Sequence, residues 1–379
     1  MNQIEQFPPH HLYRETAFVL QGGGALGAYQ AGVYEAMAAA KVHPRWFAGI
    51  SIGAINAAIM AGNKPEERVD KLRSFWTRVT TDLPQSFYVL DDTYSRRAFG
   101  ALHSMSAVAG GISGFFKPRA HPAVLQLPGA ADALSVYDTG PLRETLEEHV
   151  DFELINSGHN RLSLGAVNVR TGNFTYFDNE RLKIGPEHVM ASGALPPGFP
   201  PIEIDGEYYW DGGLVSNTPL SYVLGDAPAG SMLVFQVDLY SASGPFPETI
   251  GDVEERRKDI VYSSRTRMNT DMFREKQALR QAVAELAERL PENVREDPEV
   301  ASLTALGSEH AISVIHLIYR RRAYDGPAKD FEFSRRSMRE HWTAGRADAV
   351  RTLRAVDWRT PPTPADGIAV YDMNRSGVV

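Results

Sequence analysis

The chain has 379 residues, 43% of them hydrophobic and 23% charged, with a formal charge of −8 and no cysteine. That length suits one large core with an attached extension, and the acidic balance argues against nucleic acid, whose binders carry a basic excess. The missing cysteine excludes disulfides, thiolate metal sites and a cysteine nucleophile.

Residues 1–15 are polar and proline-broken and read as a flexible lead without the apolar run of a secretory signal. A cytoplasmic location is the simpler expectation. No run of about 18 uncharged apolar residues marks a membrane span, so any membrane contact is expected to be peripheral. Thr16–Gln21 is a short apolar run ended by glycine, the pattern of a buried parallel strand. Ala25–Ala40 fits a helix, Arg45–Ser51 a second strand and Ile52–Ala61 an alanine-rich helix. The alternation predicts an α/β fold with a mainly parallel sheet.

Residues 85–135 mix glycine, proline and aromatics without period, including AVAGGISGFF at Ala107–Phe116, and read as a lid-like irregular excursion. Leu162–Val169 and Phe174–Asp178 are strand candidates joined by an RTGN turn. Met232–Tyr240 is another strand. The expected core therefore spans 16–240, and 241–379 is a largely helical C-terminal extension. Within it Val253–Leu290 reads as one helix. Met268, Met272, Leu279, Val283, Leu286 and Leu290 mark the face expected to pack on the core. Ile312–Tyr319 is a late strand placed to join the core sheet, Ser334–Ala355 is helical, and the tail from Pro361 is polar and loose.

Two glycine clusters carry the chemistry. Gly22, Gly24 and Gly27 match G-x-G-x-x-G between a strand and a helix, the setting of a dinucleotide fingerprint. The acid expected about 20 residues later is missing, since Met37–Gly53 contains no Asp or Glu. Gly49-Ile50-Ser51-Ile52-Gly53 is G-x-S-x-G at a strand–helix junction, the context of a nucleophile elbow. Glycine at both flanks removes the clash that so sharp a turn creates. Ser51 would project at the strand tip, with the positive end of the next helix behind it. Backbone N–H groups of Gly22–Gly24 would then cradle a developing oxyanion.

A serine needs a base. His310, His316 and His341 come late enough in the chain, though His316 lies in an apolar strand pattern. Asp211, after Tyr208, Tyr209 and Trp210 and before Gly212 and Gly213, is a second candidate. An Asp-Gly hairpin turn is the plain alternative.

GGGALG (22–27), GISIG (49–53), the proline block ASGALPPGFPPI (191–202) and DGG (211–213), in that order, resemble the patatin-like phospholipase family over residues 16–240. The resemblance implies a three-layer α/β/α fold and a Ser–Asp dyad without histidine. Ser51 becomes the nucleophile and Asp211 the general base. Gly22, Gly23 and Gly24 become the oxyanion loop, supported by Gly27, Gly49, Gly53, Gly212 and Gly213. It implies a lipid or acyl-ester substrate, with no metal and no organic cofactor. Leu26 departs from the family, which usually carries Arg or Lys there and so leaves esterase or thioesterase action on a non-phospholipid substrate, such as a storage polyester, as an alternative. The region from Gly244 resembles an extension of some bacterial relatives. His10–His11 are not expected to bind metal. Burial among the aromatics before Asp211 would raise its pKa toward that of a useful base.

Overall fold

Successive side chains of Ala17–Leu20 divide between two hydrophobic cores, Phe18 and Leu20 in one, Ala17 and Val19 in the other. A strand buried on both faces belongs at the centre of a covered sheet. The computed structural model describes residues 13–81, 92–228, 230–304, 310–355, 357–363 and 367–372. Its main sheet contains β1 (Glu15–Leu20), β2 (Trp46–Gly49), β3 (Arg161–Asn168), β4 (Phe174–Asp178), β5 (Ile202–Ile204), β6 (Glu207–Asp211), β7 (Gly230–Asp238), β8 (His310–Ile318) and β9 (Ile368–Asp372). In the order β9-β8-β7-β1-β2-β3 the strands run parallel. β6 and β5 continue the path antiparallel, and β4 lies antiparallel on β3.

Helices cover both faces, giving three layers. On one side lie α1 (Ala28–Ala39), α2 (Ile52–Ala61) and the helices Arg68–Arg78 and Arg335–Arg354. On the other, Leu220–Gly225 packs through Leu220, Val223 and Leu224, and Thr266–Glu288 through Phe273. Among the described residues no helix is long and apolar enough to cross a membrane.

α1 and Arg335–Arg354 touch backbone to backbone. A Cβ on Gly32 would overlap the Trp342 carbonyl, and one on Gly345 the Tyr29 carbonyl. Trp342 Nε1–H donates to Glu35 at 2.5 Å, and the Tyr29 hydroxyl donates to Asp348 at 2.7 Å. This contact clamps the C-terminal region against the helix that follows the glycine loop.

Several elements differ from the sequence reading. The first part of the 85–135 excursion, 85–91, lies outside the described residues. Thr93–Gly110 is a regular helix, capped by Asp92, whose side chain accepts from the Ser95 amide at 3.0 Å. The single helix expected over Val253–Leu290 is two, Ile250–Tyr262 and Thr266–Glu288. They break at Arg265, which adopts the left-handed conformation (φ 49°). The apolar stripe does not face the core: Met268, Met272, Leu279 and Leu286 are each more than half exposed. Thr270, Phe273, Gln277 and Ala287 are the buried positions instead. The tail expected to be loose returns as β9, parallel to β8.

A side chain at Gly345 has no room without moving the Tyr29 backbone. Gly345→Val is expected to cost about 1–3 kcal/mol, the usual range for overpacking. A lowered urea midpoint at unchanged m-value would register this; an unchanged midpoint would show that the helices do not meet at this point.

Candidate active site

β2 ends at Gly49, and the chain turns at once into α2. Ser51 at the turn has φ 56° and ψ −125°, and it is the N-cap of α2. Positive φ in a non-glycine residue is uncommon and carries strain of roughly 1–3 kcal/mol. The Ile50 amide donates to Leu20 O at 3.2 Å, and the Ser51 amide donates to Ser192 O at 3.1 Å. The Ser192 hydroxyl donates to Gly165 O at 2.6 Å and accepts from the Ser51 amide at 3.2 Å. A Cβ on Gly49 would collide with the Gly53 backbone, and one on Gly53 with the Leu20 carbonyl. Both flanking glycines are thus sterically required.

Asp211 arrives from the opposite direction. One edge of β3 carries β4; the other pairs first with β2, through Arg161–Leu164, and then with β6, through Ala166–Asn168. Gly49 lies opposite Leu164 and Asp211 opposite Ala166. The carboxylate therefore enters the sheet just where β2 has left it. The Asp211 amide donates to Ala194 O at 3.0 Å, and Oδ1 accepts from the Gly213 amide at 2.7 Å. Ser51 and Asp211 border the same pocket, and the Ser51 side chain pulls the Asp211 pKa down.

Asp211 is 2% exposed. Burial pushes its carboxyl up to about 7, against the opposing pull of the Gly213 amide and the Ser51 hydroxyl. Two of the three preceding aromatics are directed elsewhere. Tyr208 is 44% exposed and bonds Glu203, and Tyr209 packs on Phe177. The Ser51 turn, the glycine loop, Asn217 and Tyr262 line the same pocket as Asp211.

The glycine loop supplies fewer amide donors than its three glycines suggest. The Gly22 amide donates to Asn217 O at 3.2 Å, while Asn217 Nδ2 donates to Gly22 O and Tyr262 O, both at 3.0 Å. Gly22 is thus held in place with its N–H occupied. The Gly23 and Gly24 amides have no protein acceptor among the described residues. Gly24 has φ 54°, and a Cβ there would overlap the Asp330 carbonyl.

A cavity of about 80 Å³ adjoins Ser51, walled by Phe115, Phe116, Phe199, Phe331 and Phe333. Its charged lining is Asp211 and Asp330; among the described residues no Arg, Lys or His borders it. Asp330 is paired with Lys258 at 2.5 Å. Leu26 is wholly buried in the core, so the family's usual basic position is not a pocket position here. Of the late histidines, His316 pairs with Asp238 at 2.5 Å, and His341 is buried beside Tyr319. Among the described residues no group of three or more His, Asp or Glu side chains is placed to hold a metal ion; His10 and His11 lie outside them.

A serine on a strained strand–helix turn, in one pocket with a buried carboxyl at the carboxyl edge of a parallel sheet, is the arrangement a serine hydrolase site calls for. The profile of the patatin-like phospholipase family matches residues 18–224, and a second profile, described as patatin phospholipase, matches residues 260–365. The chain belongs to the patatin-like phospholipase family, a membership that supports lipid acyl hydrolase activity. No curated protein matches. Among solved structures, VipD from Legionella pneumophila aligns at 14% identity and a TM-score of 0.37, over 89% of this chain and 66% of that one.

Three residues were not singled out from sequence: Ser192, Asn217 and Asp330. Ser192 sits in the block ASGALPPGFPPI and Asn217 four residues after DGG, where a polar residue close to the glycines was the available signal. Asp330 meets Gly24 through a main-chain carbonyl, which no sequence pattern reports.

Folding holds a proton on Asp211 up to about pH 7, whereas the unfolded chain releases it near 3.9. This contribution is fully present below about pH 4 and lost as pH rises to 7. Asp211→Asn carries no such burden, so its gain in melting temperature over wild type is expected to be larger at pH 8 than at pH 5. A gain independent of pH would refute the raised carboxyl.

Proposed function

We propose that the protein is a serine carboxylic-ester hydrolase acting through a Ser51–Asp211 dyad and an acyl-enzyme intermediate. The observation that supports this reading is that Ser51, on its strained turn, shares one pocket with the buried Asp211 carboxyl and with the two open amides of Gly23 and Gly24. Ionised Asp211 takes the proton as Ser51 Oγ attacks the ester carbonyl. The Gly23 and Gly24 amides receive the oxyanion, a stabilisation worth about 2.7–4 kcal/mol per donor in comparable sites. The proton passes to the departing alcohol. Asp211 then draws a proton from water as it attacks the acyl carbon, and returns that proton to Ser51 Oγ as the acyl–Oγ bond breaks and the acid leaves.

The aromatic walls suit an apolar acyl group. With Asp330 at the pocket and no cation lining it, the lining favours an uncharged ester over an anionic one, because a desolvated anion without a counter-charge is costly. A neutral glyceride or simple alkyl ester therefore fits better here than a phospholipid whose phosphate enters the pocket.

Ser51→Ala is expected to abolish labelling by a fluorophosphonate probe, and Asp211→Asn to lower kcat on a neutral ester about 10²–10⁴-fold. In the wild type, kcat/KM should rise with pH through about 7, because the ionised carboxylate is the base. Labelling that persists in Ser51→Ala, or full turnover by Asp211→Asn, would exclude the dyad.

A further inference from the structure

A second, larger cleft, about 630 Å³, opens at the carboxyl ends of β7, β8 and β9. This is the edge of an open parallel sheet where ligands characteristically bind, and the volume lies in the range of small-molecule sites. Only Tyr240 borders both this cleft and the Ser51 pocket. Their linings are opposite in character: aromatic and acidic around Ser51, rich in arginine here.

Arg265, Arg267, Arg274 and Arg320 all border the cleft. The acids among them are largely engaged. Asp238 accepts from His316 at 2.5 Å, and Asp271 pairs with Arg274 at 3.1 Å and Arg267 at 3.8 Å. Burial opposes a charge on His316, yet Asp238 and Asp372 hold its pKa above the ordinary value, so the ring offsets the Asp238 charge. Arg265 has no acidic partner among the described residues. It sits at the left-handed break that starts the 23-residue helix Thr266–Glu288, whose first turn has no side-chain cap. The opening amides of that helix add to the positive lining. Guanidinium groups stay charged throughout the accessible pH range and grip planar or tetrahedral oxyanions through two parallel N–H donors.

We propose that this cleft binds a phosphate-bearing ligand at a site separate from the Ser51 pocket. The phosphate could belong to a free phosphorylated small molecule or to a lipid headgroup; the recognition chemistry is the same, and the test separates the two sources.

The full chain is titrated calorimetrically with inorganic pyrophosphate at fixed ionic strength. In parallel it is sedimented with phosphatidylcholine vesicles with and without phosphatidic acid. Saturable pyrophosphate binding indicates a free ligand; binding confined to phosphatidic acid vesicles indicates a headgroup. Either is expected to weaken about tenfold or more in the double variant Arg265→Gln, Arg320→Gln, a loss of about 1.4 kcal/mol. Both side chains are exposed, and the Arg→Lys pair, which keeps the charges, is expected to retain part of the binding. Ser51→Ala should bind as wild type does, whatever its effect on ester turnover. No binding in either arm, or undiminished binding by the Arg→Gln pair, overturns the proposal.

Discussion

The candidate site depends on one edge of β3 being shared by two strands in succession. β2 pairs along it as far as Gly49 opposite Leu164 and then leaves; β6 takes it up from the other direction, with Asp211 opposite Ala166. Ser51 and Asp211 come to one pocket at the interval between the two pairings. Ladder hydrogen bonds set both positions, and a slip of one residue in either strand would turn its side chain to the opposite face. The Ser51 conformation, the Ser192 brace and the bare flanks at Gly49 and Gly53 all serve to fit a sharp turn into that interval.

The parts of this arrangement that were legible from sequence are those written in side-chain pattern. β1 and β2 are apolar on both faces, so the glycine clusters could be placed at strand–helix junctions before any coordinates. Glycines that avoid overlap at a tight turn also announce themselves. The helical period of Met268, Met272, Leu279 and Leu286 correctly indicated a helix and misled about its orientation. A period shows which side chains share a face; it does not show that anything covers the face. Phe273 and Ala287, fewer and smaller, are the ones that reach the interior. β9 escaped notice because a half-buried edge strand of five residues needs no marked apolar run.

The region beyond residue 241 is less an appendage than the wall of the pocket. Phe331 and Phe333 face the Ser51 cavity, and the Asp330 carbonyl rests on Gly24. That short segment is anchored by buried Lys329, whose ammonium pairs with Asp259 at 2.8 Å and Glu255 at 3.2 Å. A buried group of this kind tolerates poorly the loss of one partner, typically at 3–5 kcal/mol. The glycine loop beside Ser51 thus takes its position from both halves of the chain.

β7 lies between the two matched segments, within neither, yet it pairs with β1 on one side and β8 on the other. The halves are therefore joined by a common spine rather than docked as finished bodies. Severed from each other, each would display a raw sheet edge, the kind of surface through which chains stick to their neighbours. Such a chain has no seam along which evolution could hand one half to another protein and leave the other soluble.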